Sequence, residues 1–248
     1  MKRHIPNLLT LCNLSCGVAA VLLAYNGHFV PAAWMFLAGV AFDFFDGFAA
    51  RMLHVKSDIG RELDSLADCI TSGLLPSMVM YKLMQGALAG VFSSEPFSAT
   101  VPVSPLQLAA APALLIVLFS ALRLAKFNLD TRQTESFIGL PTPACGLVVV
   151  FLPFFAQWGW GQSALSCYWI LLALTVVLSL LLVSEVPLFA LKFKTFGWKG
   201  NQKRWALIAL AALAVLTLGF RAFPLVVLAY VLMSLLWKDA PGASSARP

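Results

Sequence analysis

Residues 43–68 read DFFDGFAARMLHVKSDIGRELDSLAD, and this stretch joins two long apolar segments. Its paired aspartates are Asp43, Asp46, Asp64 and Asp68. The first two are three positions apart and the last two are four apart, so each pair lies on one face of a helix. The link between the pairs is short, so the two helices are predicted to be antiparallel neighbours whose carboxylates converge near one membrane face. Carboxylates without a function are rare in membrane helices, so we predict a functional acidic site.

The rest of the chain is too apolar for a soluble protein. It has 248 residues, of which 60% are hydrophobic and 11% are charged, whereas soluble domains carry about 25% charged residues. Eight hydrophobic segments are predicted: Leu8–Tyr25, Val30–Ala50, Leu66–Ala87, Leu106–Leu124, Pro141–Gln157, Tyr168–Phe189, Trp205–Phe220 and Ala222–Trp237. The last two are interpreted either as separate spans or as one broken segment. The runs are too long for strands and lack alternation. We therefore predict an all-α polytopic membrane bundle with about eight transmembrane helices.

A single membrane domain is predicted over residues 1–248, because no long linker or internal repeat divides the chain. Its catalytic core covers about 1–190, two further transmembrane helices cover about 205–237, and a short tail covers 238–248. The first apolar run is longer than the core of a typical signal peptide, so we interpret it as a retained helix.

Lysine and arginine positions predict the orientation, because cationic loops stay on the cytoplasmic side of a membrane. Of the 17 such residues, all but Lys82 and Arg221 fall on the side that carries both termini. We therefore predict a multi-pass protein of the inner cell membrane, with both termini and the active site in the cytoplasm. The net charge of +6 is explained by this topology and by attraction to anionic membrane lipids, so no nucleic-acid partner is predicted.

The converging carboxylates repel one another unless a multivalent cation lies among them. A set of oxygen ligands favours Mg²⁺, Mn²⁺ or Ca²⁺ over zinc or copper, and such an ion at the membrane surface suggests phosphate chemistry. Gly47 allows a ligand to approach the helix backbone closely, and Arg51 is one turn away, where it can reach a phosphate. Gly60 leaves room beside Asp64. Taken singly, each of these residues has an ordinary alternative role in helix packing or in anchoring the topology.

The same stretch matches D-x2-D-G-x2-A-R-x8-G-x3-D-x3-D at every defined position, and in this it resembles the signature of the CDP-alcohol phosphotransferase family. The resemblance implies that family's helical membrane fold, a homodimer, and displacement of CMP from a CDP-alcohol by a hydroxyl group. It also implies one or two ions of Mn²⁺ or Mg²⁺, with Asp68 taking the proton of the attacking hydroxyl. By that similarity, the metal ligands would be Asp43, Asp46, Asp64 and Asp68. The contacts to the CDP group would be Asn7, Gly47, Arg51, Ser57 and Gly60.

Three other stretches, at 4–13, 123–128 and 137–144, resemble the phosphatidylserine synthase branch of that family. This implies CDP-diacylglycerol as the donor and L-serine as the acceptor. Serine carries a carboxylate, so its site should offer a cation, and Arg123 and Lys126 are the candidates, with Asn128 adding a hydrogen bond. The alternative role of these cations is positive-inside anchoring. Glu185 could face the amino group, although an interfacial helix end is the simpler interpretation.

Two other functions stay open from the sequence. A sister enzyme of the same family would use glycerol 3-phosphate or an inositol phosphate as the acceptor, and its pocket should contain several cations. A divalent-cation transporter would place carboxylates near the bilayer midplane on several helices. Here they cluster in one helix pair near one face, which argues against a transporter.

Overall fold

The computed structural model describes residues 4–55, 57–89, 105–129, 137–188 and 202–236. Within these ranges there are eleven α-helices and one pair of two-residue strands. The helices are α1 (His4–Tyr25), α2 (Phe29–Met52), α3 (Asp58–Asp68), α4 (Leu75–Ala89), α5 (Pro105–Ala109), α6 (Leu115–Leu129), α7 (Thr142–Val150), α8 (Gly159–Leu165), α9 (Tyr168–Val183), α10 (Gln202–Leu218) and α11 (Ala222–Leu236). A π-helix covers Cys69–Leu74, and 3-10 turns cover Ala111–Leu114, Leu152–Gln157 and Gly219–Arg221.

The predicted all-α class is confirmed, apart from the short strand pair. β1 (Phe137–Ile138) lies antiparallel to β2 (Pro187–Leu188). Next to it, Gly139 has a φ of 76°, a left-handed conformation that glycine adopts without steric cost. Its N–H donates to the carbonyl of Val186 at 3.0 Å. This contact ties the start of α7 to the end of α9.

Helical structure covers most of the described part of each predicted hydrophobic segment. The main exception is the end of the sixth segment, where α9 ends at Val183 and Pro187–Leu188 form β2. Within the described ranges, four stretches could cross a membrane by length and composition: His4–Tyr25, Phe29–Met52, Gln107–Leu129 and Trp205–Ser234. The pair α8 and α9, bent by 78°, would make a fifth. The last of the four is interrupted at Gly219, whose φ is 58°, and α10 and α11 contact each other. The multi-pass membrane class is thus confirmed, whereas the number of eight spans stays a prediction.

A stripe of small and polar residues on α1 organises the N-terminal half. The buried members of this stripe are Pro6, Thr10, Asn13, Gly17, Ala20 and Ala24. They recur every three or four positions, so they lie on one helix face. Small residues let helix backbones approach closely in a membrane, and α1 accordingly contacts α2, α3, α4 and the π-helix. The stripe therefore brings α1 directly against the helices that carry the aspartates.

Aromatic packing joins the C-terminal helices to the rest of the bundle. The ring of Phe151 stacks on Phe223 at a centroid distance of 4.3 Å and contacts Phe220 at 5.3 Å. The same ring lies 6.3 Å from the ring of Phe36 on α2, in an edge-to-face arrangement. These contacts place α11 beside α7. The single domain over residues 1–248 and its boundaries stay a prediction.

Candidate active site

Three of the four paired aspartates form a close carboxylate cluster. Asp43 on α2 and Asp64 and Asp68 on α3 each offer one carboxylate oxygen, and these oxygens lie within 4.8 Å of one another. All three side chains are partly buried. Among the described residues, the one ion pair is the exposed pair of Arg61 and Glu62, so no aspartate of the cluster is neutralised by a direct salt bridge there.

The cluster fits a divalent cation. Asp64 Oδ1 is buried and has no hydrogen-bond partner within the described ranges, and a buried polar group left unsatisfied costs about 1–3 kcal/mol. Desolvation by burial raises the pKa of Asp64, because it disfavours the charged form. A bound cation would relieve both the desolvation and the mutual repulsion. The donor atoms are all carboxylate oxygens, the type that Mg²⁺, Mn²⁺ and Ca²⁺ prefer.

Asp46 lies beside this cluster rather than within it. It is buried, and Thr10 of α1 donates a hydrogen bond from its hydroxyl to Asp46 Oδ2 at 2.5 Å. Asp46 is close enough to Asp64 for their charges to repel. Both aspartates line the same cavity. The assignment of Asp46 to the same metal cage as the other three aspartates stays a prediction.

A cavity of about 460 Å³ adjoins the aspartates and has the size of a ligand site. Its walls come from α1, α2, α3 and the link between α2 and α3. Four of the five predicted contacts to the CDP group line it: Asn7, Gly47, Ser57 and Gly60. A Cβ atom added at Gly47 would meet no atom within 4 Å, so the backbone of α2 is open to a ligand there. The fifth residue, Arg51, is exposed and is not among the lining residues.

Ser57 begins α3 and shapes one wall of the cavity. Its backbone is extended, and its hydroxyl accepts a hydrogen bond from the N–H of Gly60 at 3.3 Å. This is the usual role of serine at a helix start. A Cβ atom at Gly60 would lie 3.0 Å from Asn7 Oδ1, so a larger residue there would crowd the Asn7 side chain. Contact of Ser57 with a nucleotide stays a prediction.

The three predicted serine contacts have different surroundings. Arg123 on α6 is buried with 8% of its surface exposed, and its Nε atom has no hydrogen-bond partner among the described residues. It is close enough to Asp68 for electrostatic attraction. Lys126 is exposed. Asn128 donates to Ser65 of α3 at 2.8 Å, so it ties α6 to α3. Glu185 is exposed after the end of α9.

Several residues at the site were not singled out from the sequence. Thr10 and Asn13 on α1 contact Asp46 and Asp68 respectively. Their polarity within an apolar helix, at a spacing of three residues, was a usable signal. Arg61 lines the cavity. Tyr230 on α11 interacts electrostatically with Arg123, and no sequence pattern connects positions so far apart.

The fold and the site define the class of protein. The sequence model of the family described as CDP-alcohol phosphatidyltransferase matches residues 3–182. The chain belongs to this family, and the predicted family resemblance is confirmed. The matched region contains the helices that carry the aspartates and leaves α10 and α11 outside.

Comparison with curated relatives shows which members of the family this chain is similar to. A CDP-diacylglycerol–serine O-phosphatidyltransferase of Bacillus subtilis is 37% identical over 155 residues, which are 61% of this chain and 76% of the relative. One of Helicobacter pylori is 34% identical over 147 residues, 58% of this chain and 55% of the relative. An archaetidylserine synthase of Methanothermobacter thermautotrophicus is 32% identical over 177 residues, 70% of this chain and 66% of the relative. The chain thus spans about half of the Helicobacter relative and about three quarters of the Bacillus one.

Proposed function

We propose that this chain is an enzyme that transfers the phosphatidyl group from CDP-diacylglycerol to the hydroxyl of L-serine, giving phosphatidylserine and CMP. The observation that carries this proposal is the carboxylate cluster of Asp43, Asp64 and Asp68 beside a ligand-sized cavity, in a chain of the CDP-alcohol phosphatidyltransferase family. The names of the relatives from Bacillus and Helicobacter support serine as the acceptor.

In this proposal, the four aspartates Asp43, Asp46, Asp64 and Asp68 hold one or two ions of Mg²⁺ or Mn²⁺. When bound, such ions neutralise phosphoryl oxygens and the charge of the leaving group. The walls of the cavity at Asn7, Gly47, Ser57 and Gly60 receive the CDP group, and Arg51 offers a positive charge from the exposed surface of α2. The acyl chains of the donor stay in the surrounding lipid.

Asp68 acts as the general base. It accepts the proton of the serine hydroxyl as the serine oxygen forms a bond to the phosphorus that carries diacylglycerol. The bond from that phosphorus to the oxygen of CMP breaks, and CMP leaves with the electron pair. A direct displacement of this kind inverts the configuration at phosphorus.

Arg123 binds the serine carboxylate. Its guanidinium is buried close to Asp68, and its Nε still has a free donor among the described residues, so it can hold a carboxylate near the base. Lys126 is exposed, so in this proposal it acts at the entrance of the site. Asn128 donates a hydrogen bond to Ser65, so in this proposal it acts in helix packing.

Arg123→Gln is expected to raise the KM for serine about ten- to a hundredfold, because a hydrogen bond to a charged group contributes about 1.5–3 kcal/mol. The KM for CDP-diacylglycerol should change less than about threefold, a small difference on the scale of 1.4 kcal/mol per tenfold. The matched control is Lys126→Gln, which removes an exposed cation from the same helix. Equal effects of the two substitutions on the serine KM would contradict the assignment of Arg123.

The proposed location is the inner cell membrane, with both termini and the active site on the cytoplasmic side, and the proposed assembly is a homodimer. Fifteen of the 17 lysine and arginine residues fall on the side that is predicted to carry the termini, and the positive-inside rule expects this excess on the cytoplasmic face. Labelling of intact cells with an impermeant thiol reagent tests the sidedness. A single cysteine at position 126 should be protected and one at position 221 should react; the reverse result would invert the orientation.

The test of the function is CMP release by the purified protein in detergent–lipid micelles with CDP-diacylglycerol and Mn²⁺ or Mg²⁺. Serine, glycerol 3-phosphate and inositol phosphate are offered separately. Release with serine alone is the expected result. Release with another acceptor alone would keep the family chemistry and overturn the assignment of serine, and no release with any acceptor would overturn the proposed enzyme.

A further inference from the structure

Two fully buried polar side chains connect α1 to the carboxylate cluster. Asn13 of α1 is 0% exposed and Thr71 of the π-helix is 1% exposed. The hydroxyl of Thr71 lies 2.8 Å from Asn13 Oδ1, and Asn13 Nδ2 lies 3.4 Å from Asp68 Oδ1. Together the three side chains form a continuous hydrogen-bonded chain that ends on one oxygen of Asp68.

The direction of each hydrogen bond follows from the groups involved. An ionised carboxylate only accepts hydrogen bonds, so Asn13 must present its NH₂ group to Asp68. Its carbonyl oxygen then faces Thr71, and the hydroxyl there must donate. Thr71 Oγ1 is also 3.3 Å from the backbone carbonyl of Asn13, which again requires a donor. Asp68 therefore sets the orientation of the amide, and the single hydroxyl proton of Thr71, which lies between two oxygens of Asn13, supports that orientation by donating to Oδ1.

The helix backbones around Asn13 and Thr71 are closely packed. A Cβ atom at Gly17 of α1 would lie 2.3 Å from Thr71 Oγ1, and one at Gly39 of α2 would lie 2.9 Å from Thr71 Cγ2 and 3.0 Å from Asn13 Oδ1. Thr71 lies in the π-helix that follows Asp68 directly, and π-helical turns frequently occur at functional sites. The pair is thus enclosed where α1, α2 and the π-helix meet.

We infer that Asn13 and Thr71 are positioning residues that hold the Asp68 carboxylate in the orientation needed to take the proton of the acceptor hydroxyl. The inference rests on the proposed function in one respect, the role of Asp68 as the base. Neither side chain lines the cavity, so the pair acts through Asp68 and not by contact with the nucleotide. Its removal should slow turnover without weakening the binding of CDP-diacylglycerol.

The experiment compares Thr71→Val, which removes the hydroxyl, with Thr71→Ser, which keeps it. The matched control is Ser77→Ala, because Ser77 is also fully buried and donates to the carbonyl of Ala113 on a different helix at 2.9 Å, away from the aspartates. CMP release gives kcat and the KM for CDP-diacylglycerol, and thermal unfolding in the same micelles gives the Tm. Thr71→Ala is the second variant if the valine disturbs packing against Gly17.

For Thr71→Val we expect kcat to fall ten- to a hundredfold, the order of loss that a small misplacement of a reacting group produces, with KM nearly unchanged. Thr71→Ser should recover most of the wild-type kcat. Ser77→Ala should keep the wild-type kcat even if its Tm falls as much as that of Thr71→Val. A Thr71→Val protein with the kcat of the wild type would overturn the inference, as would equal losses in Ser77→Ala. If the proposed function is wrong about serine, the wild type releases CMP with another acceptor instead. The kcat values of the same variants are then compared with that acceptor. A wild type that turns over no acceptor overturns both.

Discussion

Asp68→Asn is expected to reduce CMP release by a factor on the order of 10² to 10⁴, the contribution of a positioned general base. Asparagine has nearly the same shape as aspartate but cannot take up the proton of the acceptor hydroxyl. The measurement is the rate of CMP release at saturating CDP-diacylglycerol and serine. Binding of CDP-diacylglycerol, measured separately, should be partly retained, because the cavity beside the cluster is lined by other residues.

The control for this variant is Glu62→Gln, which removes an exposed acid from the same helix. It should keep the activity of the wild type, because its carboxylate lies outside the cluster of Asp43, Asp64 and Asp68. If Asp68→Asn turned over as fast as Glu62→Gln, Asp68 would not be the base, and another proton acceptor would have to be sought along the cavity.

Removal of divalent cations is expected to bring CMP release to background with every acceptor, and Mn²⁺ or Mg²⁺ should restore it. The physical reason is that, in the proposed mechanism, the ions neutralise the phosphoryl oxygens and the charge of the leaving group. The three carboxylate oxygens that would hold them lie within 4.8 Å of one another and would otherwise repel. Asp64→Asn should raise the cation concentration for half-maximal activity at least about tenfold, since one lost charge interaction of about 1.4 kcal/mol corresponds to tenfold in affinity. The measurement is a cation titration of CMP release after chelation.

The same variant provides a readout that does not depend on activity. Without cations, Asp64→Asn should unfold at a higher temperature than the wild type, because it removes a buried negative charge from a repelling group. Addition of Mn²⁺ should raise the Tm of the wild type more than that of Asp64→Asn, since a ligand stabilises the state that binds it. The metal site would be contradicted if neither the Tm nor the turnover of the wild type changed with chelator or with added cation.

The sequence predicted the acidic site because its information is local. The spacing of Asp43 from Asp46 and of Asp64 from Asp68 determines which helix face each pair shares, and the short link predicts that the two pairs lie close together. Spacing does not determine how far each helix is rotated about its axis. Asp43, Asp64 and Asp68 meet, whereas Asp46 turns towards Thr10, and Arg51 is exposed although it lies one turn from Gly47.

From the sequence alone, the apolar runs determined the membrane class and the aspartate pattern determined the family, because both signals are carried by residues close together in the chain. The same pattern predicted the place of the site. Only the tertiary structure decided the partners of those residues. Asn13 hydrogen-bonds to Asp68, and Arg123 lies close enough to Tyr230 for electrostatic interaction, across separations that no helix period encodes. The physical reason is close packing: small residues such as Gly17 and Gly39 set how near the helices approach, and that approach selects which side chains share a buried hydrogen bond or charge.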